Sequence, residues 1–204
     1  MKRNITKILS LILALSLCLC MGVTAFAADI ETSGGSGTTP VSLSTTKNGA
    51  LDGEPAPTAM SVTVPTALPM AMAEDGSVAT ANNCTITNNS YGAVRIKTAT
   101  ITGANGWTLT AYGDKGTLAS EKVDSNKIGF ALTVGAGTQT KTDTSNTASQ
   151  TLISEPITGY YMSGAGDQTA NSVAVTYDAI VTPLSSAITD ATVANVVFIV
   201  EWDT

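Results

Sequence analysis

The alternation of apolar and polar residues restricts the fold of this chain more than any other feature. Six separate runs carry apolar side chains at every second position, and Thr and Val dominate them. β-Branched residues suit a pleated surface, and a period of two turns one face of each run toward a core. The runs span residues 60–64, 84–86, 107–111, 128–134, 173–177 and 196–202.

Polar segments typical of turns separate these runs, as at Glu74-Asp75-Gly76 and Asn88-Asn89-Ser90. No segment combines a sustained helical period with capping residues. Many short strands joined by polar turns predict an all-β fold. We expect an antiparallel β-sandwich with Greek-key or jelly-roll-like connections.

Two segments depart from the simple alternation. Val94 and Ile96 lie on one face of their run, whereas Ala99 and Ile101 lie on the other. A β-bulge or a change of sheet would shift the register in this way. Residues 135–150 are almost entirely Thr, Ser, Gly, Asn and Ala, and this composition predicts an extended loop.

The N-terminus has the features of a secretory signal peptide. Three basic residues flank the start of an apolar run over residues 8–20, and Ala25-Phe26-Ala27 follows as a small-x-small cleavage site. The apolar run is short for a membrane span, which needs about 20 residues. The sequence therefore predicts a signal peptide at 1–27, export of the chain, and no membrane span after cleavage.

Residues 28–57 are poor in large apolar side chains and contain Ser33-Gly34-Gly35-Ser36-Gly37. This composition predicts a flexible linker or N-terminal tether. An alternative is a short strand at 41–44 that pairs with a neighbouring subunit. The β-sandwich domain is expected to occupy residues 58–204.

Charge and cysteine content narrow the class of protein. Without residues 1–27 the chain keeps 16 acidic residues against 7 basic ones, a net charge of −9. Nucleic acid and anionic lipid bind clustered Lys and Arg, so neither is an expected partner. Cys84 is the one cysteine outside the signal, which excludes an internal disulfide and leaves burial to stabilise the domain.

The chain contains no histidine. This absence removes Ser-His-Asp triads, histidine general bases and most zinc ligand sets. The carboxylates are scattered singly, many in turns, where they more often cap their own backbone than catalyse. We therefore predict that the protein is not an enzyme and has no catalytic residues, metal site or cofactor.

The chain has two tryptophans outside the signal, each in an alternating run. Trp107 lies in Gly106-Trp107-Thr108-Leu109, with Leu109 as its same-face neighbour, and Trp202 shares a face with Phe198. Aromatic residues on the inward face of a strand are ordinarily core, and such residues can also shape a surface formed by nearby loops.

This layout resembles the WxL domain of Gram-positive surface proteins over roughly residues 60–204. The resemblance rests on Val62-Thr63-Val64-Pro65, the internal Trp107-Thr108-Leu109, and a last strand ending in Trp202-Asp203-Thr204, where Thr204 stands in the place of the motif's leucine. It implies secretion and non-covalent association with the cell wall, through peptidoglycan.

Two functions follow as hypotheses. The first is a secreted surface module that binds wall glycan or another surface protein, with Trp107, Leu109 and Trp202 as motif residues. Tyr160 and Tyr161, in a Gly-rich segment, are candidates for stacking on sugars. The second is a structural subunit of an extracellular fibre or surface matrix, self-associating by strand addition.

Overall fold

The computed structural model describes residues 58–204, whose regular structure is almost entirely β-strand. The expected signal peptide and tether lie outside the described residues. One 3-10 turn among these residues spans Thr158–Tyr160. The strands are β1 (Val62–Thr63), β2 (Met70–Met72), β3 (Val78–Thr80), β4 (Cys84–Asn88), β5 (Val94–Gly103), β6 (Thr108–Thr110), β7 (Lys127–Val134), β8 (Thr140–Lys141), β9 (Ser149–Ile153), β10 (Tyr161–Met162), β11 (Ser172–Val181) and β12 (Ala194–Trp202).

Two packed sheets confirm the predicted antiparallel sandwich. Sheet one has the order β1-β4-β11-β7-β6, and β8 also pairs with β7. Sheet two has the order β10-β5-β12, and β9 also pairs with β5. All pairs in these sheets are antiparallel except β6 with β7, which run parallel. The chain crosses repeatedly between the two sheets. Within sheet one, β11 lies between β4 and β7, which precede it in the sequence.

The core lies between the inward faces of the two sheets. Phe130 of β7 stacks on Tyr177 of β11, with ring centroids 6.0 Å apart. The alternation correctly predicted which side chains turn inward. Val94 and Ile96 of β5 are buried, and so are the odd-numbered residues of β11 over 173–179. The largest fully buried apolar residues are Val94, Ile96, Ile101, Leu109, Ile128, Leu132, Val134, Met162 and Val175, together with Ile86.

The irregular register of β5 is a β-bulge, one of the two expected causes. Ile199 of β12 faces Thr98, but the next residue, Val200, faces Ile96. Lys97 is therefore the extra residue of the bulge. It turns Val94 and Ile96 to the core at one end of the strand, and Ala99 and Ile101 to the core at the other.

The stretch 135–150 is more structured than the predicted extended loop. It contains β8 and the first residues of β9. Thr142, which is 2% exposed, explains why. Its hydroxyl accepts a hydrogen bond from the Phe130 N–H at 2.8 Å and donates to the Thr110 carbonyl at 2.6 Å. A strand of two residues is too short for the alternation of apolar and polar side chains to be recognised in the sequence.

The β2–β3 hairpin was not predicted, although the polar residues of the turn that joins its two strands were recognised. In that turn Gly76 adopts a φ of 79° and its N–H donates to the Ala73 carbonyl at 2.9 Å. Asp75 accepts hydrogen bonds from Lys115 and from Ser77, and these contacts, Lys115 foremost, hold the pKa of its carboxyl well below the ordinary range.

Candidate functional site

A shallow hollow on the outer face of sheet two is the candidate site. It encloses about 480 Å³. Three parts of the chain meet there: the segment between β9 and β10, the paired ends of β10 and β5, and the residue that follows β12. The lining residues are Arg95, Pro156, Ile157, Thr158, Tyr161 and Asp203, and we call this the Tyr161 hollow.

Tyr161 supplies the aromatic surface of the hollow. It pairs with Arg95 across β10 and β5, so both side chains point away from the core. The preceding residue, Tyr160, ends the 3-10 turn and points inward, where burial leaves it 4% exposed and raises the pKa of its phenol. The neighbouring Tyr161 consequently remains 43% exposed.

Arg95 is the centre of an ion-pair network beside that ring. Its Nε lies 3.0 Å from Glu201 Oε1, and its Nη1 lies 3.1 Å from Asp203 Oδ1. Lys97 Nζ lies 2.8 Å from Glu201 Oε2. The charges of the two cations and the two carboxylates therefore cancel, although the whole protein is acidic. Together these groups place hydrogen-bond donors and acceptors beside the aromatic ring of Tyr161.

Acidification should break this network. Lys97 foremost, and then Arg95, lower the pKa of Glu201 from its ordinary value of 4.5. A carboxylate whose pKa is lower in the folded state stabilises the fold above the unfolded pKa, and this contribution disappears as pH falls through the folded pKa. In an NMR titration the Glu201 carboxyl should have a midpoint below 4.5.

Lys97→Ala is the matched control for that titration. Removing the nearest cation should move the Glu201 midpoint upward, toward the ordinary glutamate value. An unchanged midpoint in this variant would contradict the assignment of the pKa shift to Lys97.

Trp202 supports the hollow from the inner face of β12. Its half-buried ring packs over Gly92, where a Cβ atom would lie 3.0 Å from the ring's Cζ3. Its neighbours Glu201 and Asp203 both bind Arg95. The packed ring thereby fixes the part of the backbone that presents these carboxylates.

The other two motif residues lie away from the hollow, because Leu109 belongs to β6 of sheet one and Trp107 directly precedes that strand. Gly103, close in sequence to Trp107, pairs with Ala194, whereas Trp202 pairs with Val94 at the opposite end of β5. At a rise of about 3.3 Å per residue, these register positions are roughly 26 Å apart. The structure therefore does not bring the two tryptophans together.

Trp107 is half-buried and lies in a turn rather than on the predicted strand, because β6 begins at Thr108. Asn105 and Gly106 take φ values of 51° and 84°, and the Trp107 N–H donates to the Ala104 carbonyl at 2.9 Å. Leu109 is fully buried. Of the five residues predicted to bind, only Tyr161 lines the hollow.

Arg95, Asp203 and the segment 156–158 line the hollow but were not predicted as site residues. The alternation does contain a signal for Arg95, because it lies between two inward positions, Val94 and Ile96, and must point outward. Nothing comparable marks Asp203 or the segment 156–158, since neither lies within a strand.

Within residues 58–204, no three His, Cys, Asp or Glu side chains lie close enough to hold a metal ion. The same residues include no helix long and apolar enough to cross a membrane. No protein-family model, curated protein or solved structure matches the chain.

Proposed function

We propose that the protein is a secreted, non-catalytic module of the Gram-positive cell surface that associates non-covalently with peptidoglycan through the Tyr161 hollow. One observation carries the proposal: a half-exposed aromatic ring beside a charge-balanced cluster of donors and acceptors in an open depression. The signal peptide and the resemblance to the WxL domain, both read from the sequence, supply the expected location.

The chemistry of the hollow suits a polymer of sugars and short peptides. The face of an aromatic ring can pack against the C–H face of a sugar ring, while the hydroxyl of the tyrosine remains free to hydrogen-bond. Arg95 can donate to a peptide carboxylate, and Asp203 and Thr158 can bond to hydroxyl and amide groups. Because the whole chain is acidic, general charge attraction to anionic wall polymers is absent and recognition is local.

Replacing Tyr161 by alanine should weaken binding to purified cell walls at least tenfold, because truncating an aromatic anchor commonly costs more than about 1.4 kcal/mol of binding free energy. The measurement is a pull-down on purified walls across a range of protein concentrations. The thermal melt should stay close to that of the parent, since this ring is 43% exposed.

Tyr91→Ala is the matched control, because Tyr91 is 91% exposed and lies outside the hollow. It should bind walls like the parent protein. Equal binding by the parent, Tyr161→Ala and Tyr91→Ala would exclude the hollow as the site. A parent protein that stays entirely in the supernatant would exclude wall binding itself.

A second candidate function is a structural subunit assembled by strand addition. The long strand β12 favours it, because β12 forms an edge of sheet two with β5 as its one partner among the described residues. Light scattering that rises with protein concentration, without a plateau at a small oligomer, would support a fibre. A plateau at a dimer would contradict it.

A further inference from the structure

We propose that β12 pairs with β12 of a second copy of this chain, antiparallel and about a two-fold axis at Phe198. The lengths of the edge strands point to this interface. Proteins commonly protect sheet edges from pairing by keeping edge strands short. In the two sheets described here, the other edge strands have two to five residues, whereas β12 has nine.

Among residues 58–204, β12 leaves backbone hydrogen-bonding groups unpaired along its outer edge, in the pattern that a further strand requires. Val193 accepts a hydrogen bond from the Ala104 N–H at 3.0 Å, and the Asp203 N–H donates to the Ala93 carbonyl at 3.1 Å. Odd-numbered residues therefore bond to β5. Because antiparallel strands alternate the direction of these groups, the amides and carbonyls of Val196, Phe198 and Val200 point to the free edge.

A two-fold axis at Phe198 satisfies all of those groups. It places Val196 opposite Val200 of the second copy, and Phe198 opposite its own counterpart. Each of these positions is a hydrogen-bonded pair in an antiparallel ladder. The three side chains pack on the core but are only half-buried, so the second copy would cover them further.

The outer face of β12 is self-complementary in the same register. Val197 and Ile199 are 57% and 52% exposed, and each would lie directly opposite the other across the axis. Apolar β-branched pairs stabilise neighbouring strands. This contact would bury the two most exposed apolar side chains of the strand.

Charge also favours a second copy over other occupants. Residues 194–200 carry no charge and no proline, the usual devices against edge pairing. Glu201, the one charged residue in β12, would lie opposite Asn195 of the second copy, whose amide can donate to it. The expected alternative donor, residues 41–44, offers serine where β12 offers branched apolar side chains.

Such a dimer has a consequence that rests on the proposed function. A two-fold axis that extends an antiparallel sheet stands perpendicular to it, so both outer faces remain on the same side. The two Tyr161 hollows would then face one surface together, and bivalent binding would exceed the strength of either hollow alone.

The interface is tested by sedimentation equilibrium, which measures the oligomeric state of the protein as its host produces it. The parent should show a concentration-dependent monomer–dimer equilibrium. Val197→Lys should weaken dimerisation at least tenfold, because it places a charge in the apolar contact. Thr176→Lys adds the same charge at an exposed position of β11 in sheet one, and it should dimerise like the parent.

Amide hydrogen exchange tests the register. Protection of the Val196, Phe198 and Val200 amides should rise with protein concentration, whereas that of Val197 and Ile199, bonded to β5, should not. A parent that remains monomeric at several hundred micromolar would overturn the proposal. Equal dimerisation of Val197→Lys and the parent would also overturn it. A third contradicting result is self-association that persists in Val197→Lys but is lost when residues 28–57 are deleted.

The two proposals fail separately. Tyr161→Ala should dimerise normally while losing wall binding. Val197→Lys should keep binding by its single hollow, with a weaker apparent affinity at low ligand density. Loss of dimerisation in Tyr161→Ala would contradict the placement of the interface on β12.

Discussion

Replacing Leu109 by alanine should lower the free energy of unfolding by about 2–5 kcal/mol, among the largest effects of any single truncation in this domain. Leu109 is fully buried between the sheets, and its N–H donates to the Thr147 carbonyl at 2.7 Å. Alanine keeps that backbone hydrogen bond and removes only the packed side chain. Urea denaturation measures the loss directly, provided that the slope of the transition is unchanged.

Thr108→Ala is the control within the same motif. Its side chain is exposed, so the unfolding free energy should change by less than about 0.5 kcal/mol. Trp107→Ala should fall between the two, because that ring is half-buried. A loss below about 1 kcal/mol for Leu109→Ala would contradict the assignment of this residue to the core. The motif would then have its main role at the surface.

Replacing Asn88 by alanine should cost at least about 3 kcal/mol of unfolding free energy, for a polar reason rather than an apolar one. Asn88 is fully buried at the end of β4. Its Nδ2 donates to the carbonyls of Gly92 and Ser163 at 2.9 and 2.8 Å, and its Oδ1 accepts from the Ser90 N–H at 2.8 Å. Alanine leaves these three groups without that partner, at about 1–3 kcal/mol each when buried.

Asn89→Ala is the matched comparison. This neighbouring amide bonds to the Thr63 hydroxyl at an exposed position, so its loss should be within about 0.5–1 kcal/mol. Thermal unfolding of the two variants side by side separates a buried polar tie from an exposed one. Similar melting temperatures for the two would show that water replaces the Asn88 contacts at little cost.

The alternating runs predicted the fold because most of the long strands keep one face buried. Residues 172–178 of β11 and 194–199 of β12 follow the predicted alternation, whereas β7 is buried on both faces over residues 128–132. The shift of phase in β5, for which a bulge or a change of sheet was expected, is a bulge. The two-residue strands β8 and β10 were out of reach, because a period of two needs several residues to appear. Their positions depend on tertiary contacts such as the Thr142 hydroxyl.

The site was less predictable than the fold. Tyr161 could be chosen as an aromatic residue in a Gly-rich segment, but its partners are determined by register. The bulge at Lys97 brings Glu201 opposite Arg95. Without the extra residue, Arg95 would face Trp202 instead, and the ion pairs could not form. A sequence can indicate that a bulge exists, yet the energy that selects its position comes from packing on both faces.

The crossing of the chain between sheets has a consequence for how the domain folds. β4 and β7 belong to one sheet only because β11 lies between them and pairs with both, and β5 obtains its longest pairing from β12. Both closures need residues far apart in sequence, and such pairings are slow because loop-closure entropy opposes them before any contact compensates. Folding in milliseconds to seconds is expected for this kind of topology. During synthesis, neither sheet can be completed until β11 and β12 have both been made, so residues 58–204 reach their final structure only after β12 is available.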